Sequence, residues 1–149
     1  MTQDGTPPSL AGTKTILVVD DVGVVRKIAF HLLSEAGYRV FEASSAAEAL
    51  EVLATSRQPI NLALMDVVLP EVNGVDLARI LREEWPGCRI VFMSAFPAEI
   101  LVREGLDHPN VIFLAKPFTR DELLDKVAGA LSPEPRRASE TSRSDRPAS

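Results

Sequence analysis

Four short apolar runs punctuate this chain, each followed at once by a residue able to do chemistry. Thr15-Ile16-Leu17-Val18-Val19 is closed by Asp20-Asp21, and Leu62-Ala63-Leu64-Met65 by Asp66. Ile90-Val91-Phe92-Met93 is closed by Ser94, and Val111-Ile112-Phe113-Leu114-Ala115 by Lys116. Continuous apolar runs of this length, rich in β-branched residues, predict strands buried on both faces of a parallel sheet. With segment 39–43 they make five strand candidates: 15–20, 39–43, 62–66, 89–94 and 111–115.

Helical periodicity fills the gaps. Val22, Val25, Ile28, Ala29, Leu32, Leu33 and Ala36 form one stripe ahead of Gly37, a C-terminal stop. Ser45-Ala-Ala-Glu48 predicts a capping box that opens a second helix running to about Ser56. A third runs from about Gly74 to Trp85 and is stopped by Pro86-Gly87; a shorter one spans Pro97 to Glu104. Thr119-Arg-Asp-Glu122 is a second capping box, opening a last helix with Leu123, Leu124, Val127 and Leu131 on one face. Five strands alternating with five helices predict an α/β domain with right-handed crossovers. It covers residues 14–132. The polar leader 1–13, with Pro7-Pro8, and the Pro- and Ser-rich tail 133–149 bury too little surface to fold.

Composition narrows the function. A net charge of -5 argues against bulk electrostatic binding to nucleic acid. No apolar stretch approaches a membrane span, and Met1-Thr2-Gln3-Asp4-Gly5 does not open a signal peptide. Cys88 is the single cysteine, which excludes an internal disulfide and leaves the cytoplasm as the expected compartment.

In parallel α/β sheets, ligand chemistry gathers at the carboxyl ends of the strands. Asp20, Asp21 and Asp66 would meet there with the Ser94 hydroxyl and the Lys116 ammonium. Adjacent like charges are costly without a cation between them, and magnesium prefers such hard oxygen ligands. Asp66 is the candidate nucleophile, since a carboxylate can attack phosphorus to give an acyl phosphate. Lys116 is a compact charge suited to phosphate oxygens, and Ser94 offers a hydroxyl. His31 lies off the first helix's stripe and is expected in solvent. Cys88 is expected to act as a small apolar residue, and Trp85 to pack the end of its helix.

The ordered series Ile-Leu-Val-Val-Asp20-Asp21, Leu-Met-Asp66-Val-Val-Leu-Pro70-Glu-Val-Asn-Gly74, Val-Phe-Met-Ser94-Ala95 and Leu-Ala-Lys116-Pro117-Phe118 resembles the receiver domain of two-component response regulators. The resemblance implies a flavodoxin-like five-stranded sheet in the order 2-1-3-4-5. It implies that Asp66 accepts a phosphoryl group from a histidine kinase or histidine phosphotransfer protein. Magnesium, or manganese in its place, would be held by Asp20, Asp21, Asp66 and the Val68 backbone carbonyl. Ser94 and Lys116 would contact the phosphoryl group, with Ser94 and Phe113 as switch residues and a cis Lys116–Pro117 bond. Val68 and Phe96 stand where polar residues are frequent in the family, which implies slow dephosphorylation. Phe113 replaces the frequent tyrosine, so no hydroxyl carries the switch.

The expected function is that of a stand-alone response regulator, not an enzyme, signalling to a downstream protein by contact, without direct DNA or membrane binding. Its partner surface is expected at Val24 and Phe30 on the first helix, and at Leu101. A magnesium-dependent phosphatase with an aspartyl nucleophile is the enzymatic alternative. The haloacid dehalogenase family, which such a phosphatase would resemble, is expected to place a second aspartate two residues beyond the nucleophile, where Val68 stands here. A flavodoxin-type cofactor binder would need a phosphate loop where Asp20-Asp21 repels phosphate. A degenerate, phosphorylation-independent receiver would not keep all five key residues.

Overall fold

The computed structural model describes residues 13–69, 72, 74–95 and 112–132. Five parallel strands, β1 (Thr15–Val19), β2 (Arg39–Ala43), β3 (Leu62–Asp66), β4 (Arg89–Ser94) and β5 (Ile112–Ala115), form one sheet in the order β2-β1-β3-β4-β5. Four helices are described: α1 (Gly23–Glu35), α2 (Ala46–Thr55), α3 (Gly74–Glu84) and α4 (Arg120–Leu131). The helix expected over Pro97–Glu104 lies outside the described residues, as do Phe96 and Leu101.

Every residue of β1 and β3 is buried, as both-face burial requires. Side chains alternate along each strand, so the core divides in two. Ile16, Val18, Leu62, Leu64, Val91, Met93 and Leu114 meet Ala29 and Leu33 of α1, and Leu123, Val127 and Ala130 of α4. Leu17, Val19, Ala63, Met65 and Phe92 meet Ala49 and Leu53 of α2, and Leu77, Ala78 and Leu81 of α3. Trp85 is half-buried against this second cluster, and Cys88 is buried within it. Burial pushes the Cys88 thiol up to about 12.

Local chemistry sets the boundaries. Gly37 takes φ +103, a left-handed conformation that ends α1 and suits glycine. Thr119 and Glu122 form both arms of their capping box. The Ser45 box is only half made. Ser45 accepts from the Glu48 backbone N–H at 3.2 Å, but the Glu48 carboxylate turns to the Ser44 N–H at 2.7 Å and the Ser44 hydroxyl at 2.8 Å. Two donors on one neighbour outbid the single N–H of the cap.

The α1 stripe is narrower than its sequence suggests. Ala29 and Leu33 are buried and Val25 and Leu32 half-buried, whereas Ile28 is 48% exposed and Val22 and Ala36 also face solvent. Ile28 sits a full 100° helical step from Ala29 on the helical wheel, off the line that meets the sheet. Phe30, expected to stand exposed, is half-buried, its ring edge-to-face with His31 at 5.6 Å and under the Lys27 ammonium at 5.9 Å. His31 is exposed.

The amino ends of the strands are stitched by polar contacts. Asn61 accepts the Thr15 N–H on its side-chain oxygen and donates its own N–H to the Thr15 carbonyl, both at 2.8 Å. Arg89, opening β4, donates from Nη1 to the Ala130 carbonyl in the last turn of α4 at 2.8 Å.

Candidate functional site

Register brings the chemistry together at the opposite end. Val19 pairs with Met65, so Asp20, one step on, lies beside Asp66. Asp66 pairs with Met93, and Met93 with Leu114, so Lys116 stands two residues beyond that row. Alternation puts Asp20 with Ile16 and Val18, Asp66 with Leu62 and Leu64, and Lys116 with Leu114. All three therefore share the face covered by α1 and α4. Ser94, alternating with Met93, is buried at the end of β4, and the Lys116 N–H donates to its carbonyl at 2.9 Å.

The Lys116 ammonium reaches back over the row. It bonds Asp66 Oδ2 at 2.5 Å and Asp20 Oδ2 at 2.8 Å. Burial works against its charge, but the hydrogen bonds and charges of Asp20 and Asp66 outweigh that and raise its pKa above the ordinary lysine value. Each acid has a second tether. Asp20 Oδ1 accepts from the Val22 N–H at 2.9 Å, at the amino end of α1, and Asp66 Oδ1 accepts from the Val68 N–H at 2.8 Å. Asp20 is fully buried and Asp66 nearly so, while Asp21 is exposed. The Lys116–Pro117 peptide bond is cis.

Carboxylate oxygens of Asp20, Asp21 and Asp66 lie within 4.8 Å of one another. Three carboxylates against one ammonium leave an excess of negative charge in a space that a divalent cation would fill. An open, oxygen-only donor set suits magnesium, which keeps several of its waters. Val68, its N–H turned to Asp66, is 49% exposed at the mouth. Phe113 pairs with Phe92 across the β4–β5 ladder and is half-buried on the α2–α3 face, the two rings 5.8 Å apart.

Two residues that local sequence left unremarkable shape this site. Gly74, given no role in the site beyond opening the third helix and closing the quoted Asp66 motif, donates its N–H to the Val67 carbonyl at 2.6 Å, and a Cβ there would fall 2.4 Å from the Asp66 carbonyl oxygen. Its position eight residues after Asp66 was a usable signal. Arg26 donates from Nη1 to the Asp20 carbonyl at 2.8 Å and from Nε to Glu42 at 3.1 Å. Nothing short-range in the sequence marks that pairing.

The same architecture is found in known proteins. The chain is 34% identical to the sensor kinase CckA of Brucella abortus over 79% of its own length, which spans only 12% of that kinase. It is 32% identical to the response regulator receiver protein CpdR of the same organism, covering 76% of this chain and 93% of that one. The solved structure of the response regulator TrrA of Thermotoga maritima, in complex with magnesium and BeF, superposes with a TM-score of 0.68. There the identity is 28%, over 80% of this chain and 100% of the other. Receiver domains bind magnesium at an acidic pocket of this kind and are signalling modules. The response regulator receiver domain family matches residues 16–128, spanning Asp20, Asp21, Asp66, Ser94 and Lys116, and the chain belongs to that family.

Proposed function

We propose that this chain is a phosphoacceptor: Asp66 takes a phosphoryl group from a phosphohistidine on a histidine kinase or phosphotransfer protein, and the change is read out by protein contacts. The observation that carries this is the Lys116 ammonium bridging Asp66 and Asp20. A cation is thereby fixed beside the attacking carboxylate, where charge on an incoming phosphoryl group must be balanced.

A carboxylate oxygen of Asp66 forms the new P–O bond as the P–N bond to the donor imidazole breaks. The electron pair of that bond stays on the imidazole nitrogen. Lys116 remains protonated and exchanges part of its hold on Asp66 for a phosphoryl oxygen. The Ser94 hydroxyl offers a further donor, and Phe113 lies on the next strand to sense the change. Asp20, Asp21, Asp66 and the Val68 carbonyl would hold a magnesium ion. Bound there, the ion would neutralise phosphoryl oxygens and favour in-line geometry. Val68 borders the mouth and cannot hydrogen-bond an attacking water, which favours a long-lived acyl phosphate.

The donor has an apolar landing surface beside the acids. An open groove of about 270 Å³ is lined by Val25, Ile28, Ala95, Lys116, Pro117 and Phe118. With Val22 and Val68, whose N–H groups bond Asp20 and Asp66, also exposed, a carrier helix can bury apolar side chains while its histidine faces Asp66.

Incubation with acetyl phosphate and magnesium, followed by intact-mass measurement, should show one added phosphoryl group on the wild type and none on Asp66→Asn. Equal labelling of the variant, or none of the wild type, overturns the assignment.

A further inference from the structure

We infer that Arg26 is a positioning residue for the cation-binding acids, acting through the peptide that joins Asp20 to Asp21; this rests on the receiver chemistry proposed above. Asp20 is fully buried, so its carbonyl oxygen cannot turn to bulk water for a partner. Arg26 Nη1 donates to it at 2.8 Å, while the Asp20 N–H donates to the Ala43 carbonyl at 3.1 Å. The backbone leading into Asp21 is thus held from both sides.

The guanidinium is itself fixed. Its Nε donates to Glu42 Oε1 at 3.1 Å, and Lys27 Nζ holds the other oxygen of Glu42 at 3.0 Å. The Arg26 side chain is only 18% exposed, and its Nη2 folds back to within 3.8 Å of where a Gly23 Cβ would stand. One planar fork therefore ties the end of β2 to the loop after β1 through two separate nitrogens, a rigid two-point geometry that a flexible lysine does not present. Asp21 is the exposed member of the acid cluster, so its place depends most on the backbone.

Arg26 is also a cation close to a cation site, and that alone would weaken metal binding. The two effects have opposite signs, so substitution separates them. Mn2+ binding is followed by the EPR signal of the free ion in wild type, Arg26→Lys and Arg26→Gln, with metal-free melting curves recorded beside it.

Positioning predicts that both variants lose about tenfold in Mn2+ affinity, the usual scale for groups that orient a ligand. Their metal-free melting should fall as well, because the buried Asp20 carbonyl loses its donor, so affinity is read in the folded fraction; saturating magnesium should restore the wild-type rate of labelling by acetyl phosphate. A Lys variant that binds like wild type beside a Gln variant that binds more tightly would assign Arg26 to charge repulsion and overturn the proposal. Lower metal-free melting with unaltered affinity in the folded fraction would reduce it to a structural bond, and equally overturn it. Wild type that binds no Mn2+ and gains no phosphoryl group would instead bring down the receiver chemistry itself.

Discussion

Lys116 balances two buried or nearly buried carboxylates, and its removal strands both. Breaking such a pair from one side leaves Asp20 charged, fully buried and without its cation. Lys116→Met is expected to cost about 3 kcal/mol of stability in metal-free buffer, at the lower end for buried pairs, and to regain part of it with magnesium. The alkaline limb carries the same signature. Because the folded pKa of Lys116 is raised, its contribution is complete below the unfolded lysine value of about 10.4 and is lost as pH climbs through the folded value. Thermal melts from pH 7 to 11 should show that loss in wild type and a flatter limb in Lys116→Met; parallel limbs would contradict it. Gly74 is constrained by backbone alone. The atoms that an added methyl would strike, the Asp66 carbonyl at 2.4 Å and Val67 Cα at 3.0 Å, cannot swing aside as a side chain can. Gly74→Ala should therefore lose about 1–3 kcal/mol in urea unfolding and slow acetyl phosphate labelling by displacing Asp66. A variant as stable as wild type would show that the loop yields freely.

At the scale of elements, the strands were the legible part of the sequence. Both-face burial leaves an unbroken apolar signal, and the residue that ends each run is where the sheet places its chemistry. Period-two alternation even puts Asp20, Asp66 and Lys116 on one face. The helices were harder, because a helix contacts the sheet along a line whose position depends on what packs beside it. Thus Ile28 reads as core in the sequence but borders the groove beside Pro117 and Phe118, whereas Phe30 is half-covered by His31 and Lys27. Val24, on the same flank as Ile28, is exposed as expected. We therefore propose Ile28, rather than Phe30, as the apolar contact that α1 offers a partner. Ile28→Ser should reduce phosphotransfer from a histidine kinase that labels the wild type by about tenfold, the scale of one lost apolar anchor, while acetyl phosphate labelling stays unchanged. Equal loss with both donors would place the defect in the site rather than in docking. Arg26 and Glu42 stayed hidden for a different reason: their bond joins α1 to β2, and no local pattern encodes it.

Across the whole molecule, the carboxyl ends of the strands hold acids, ammonium and an open apolar rim, while the amino ends are closed by hydrogen bonds. No helix among the described residues is long and apolar enough to cross a membrane. The contact from Arg89 to the Ala130 carbonyl fastens the last turn of α4 at the closed end. β4 runs six residues from Arg89 to Ser94, roughly 20 Å at the usual rise per strand residue. A fluorophore or affinity handle joined just after Ser132 would thus be attached at the far pole from Asp66, giving biochemists a place to grip the molecule without touching its phosphorylation.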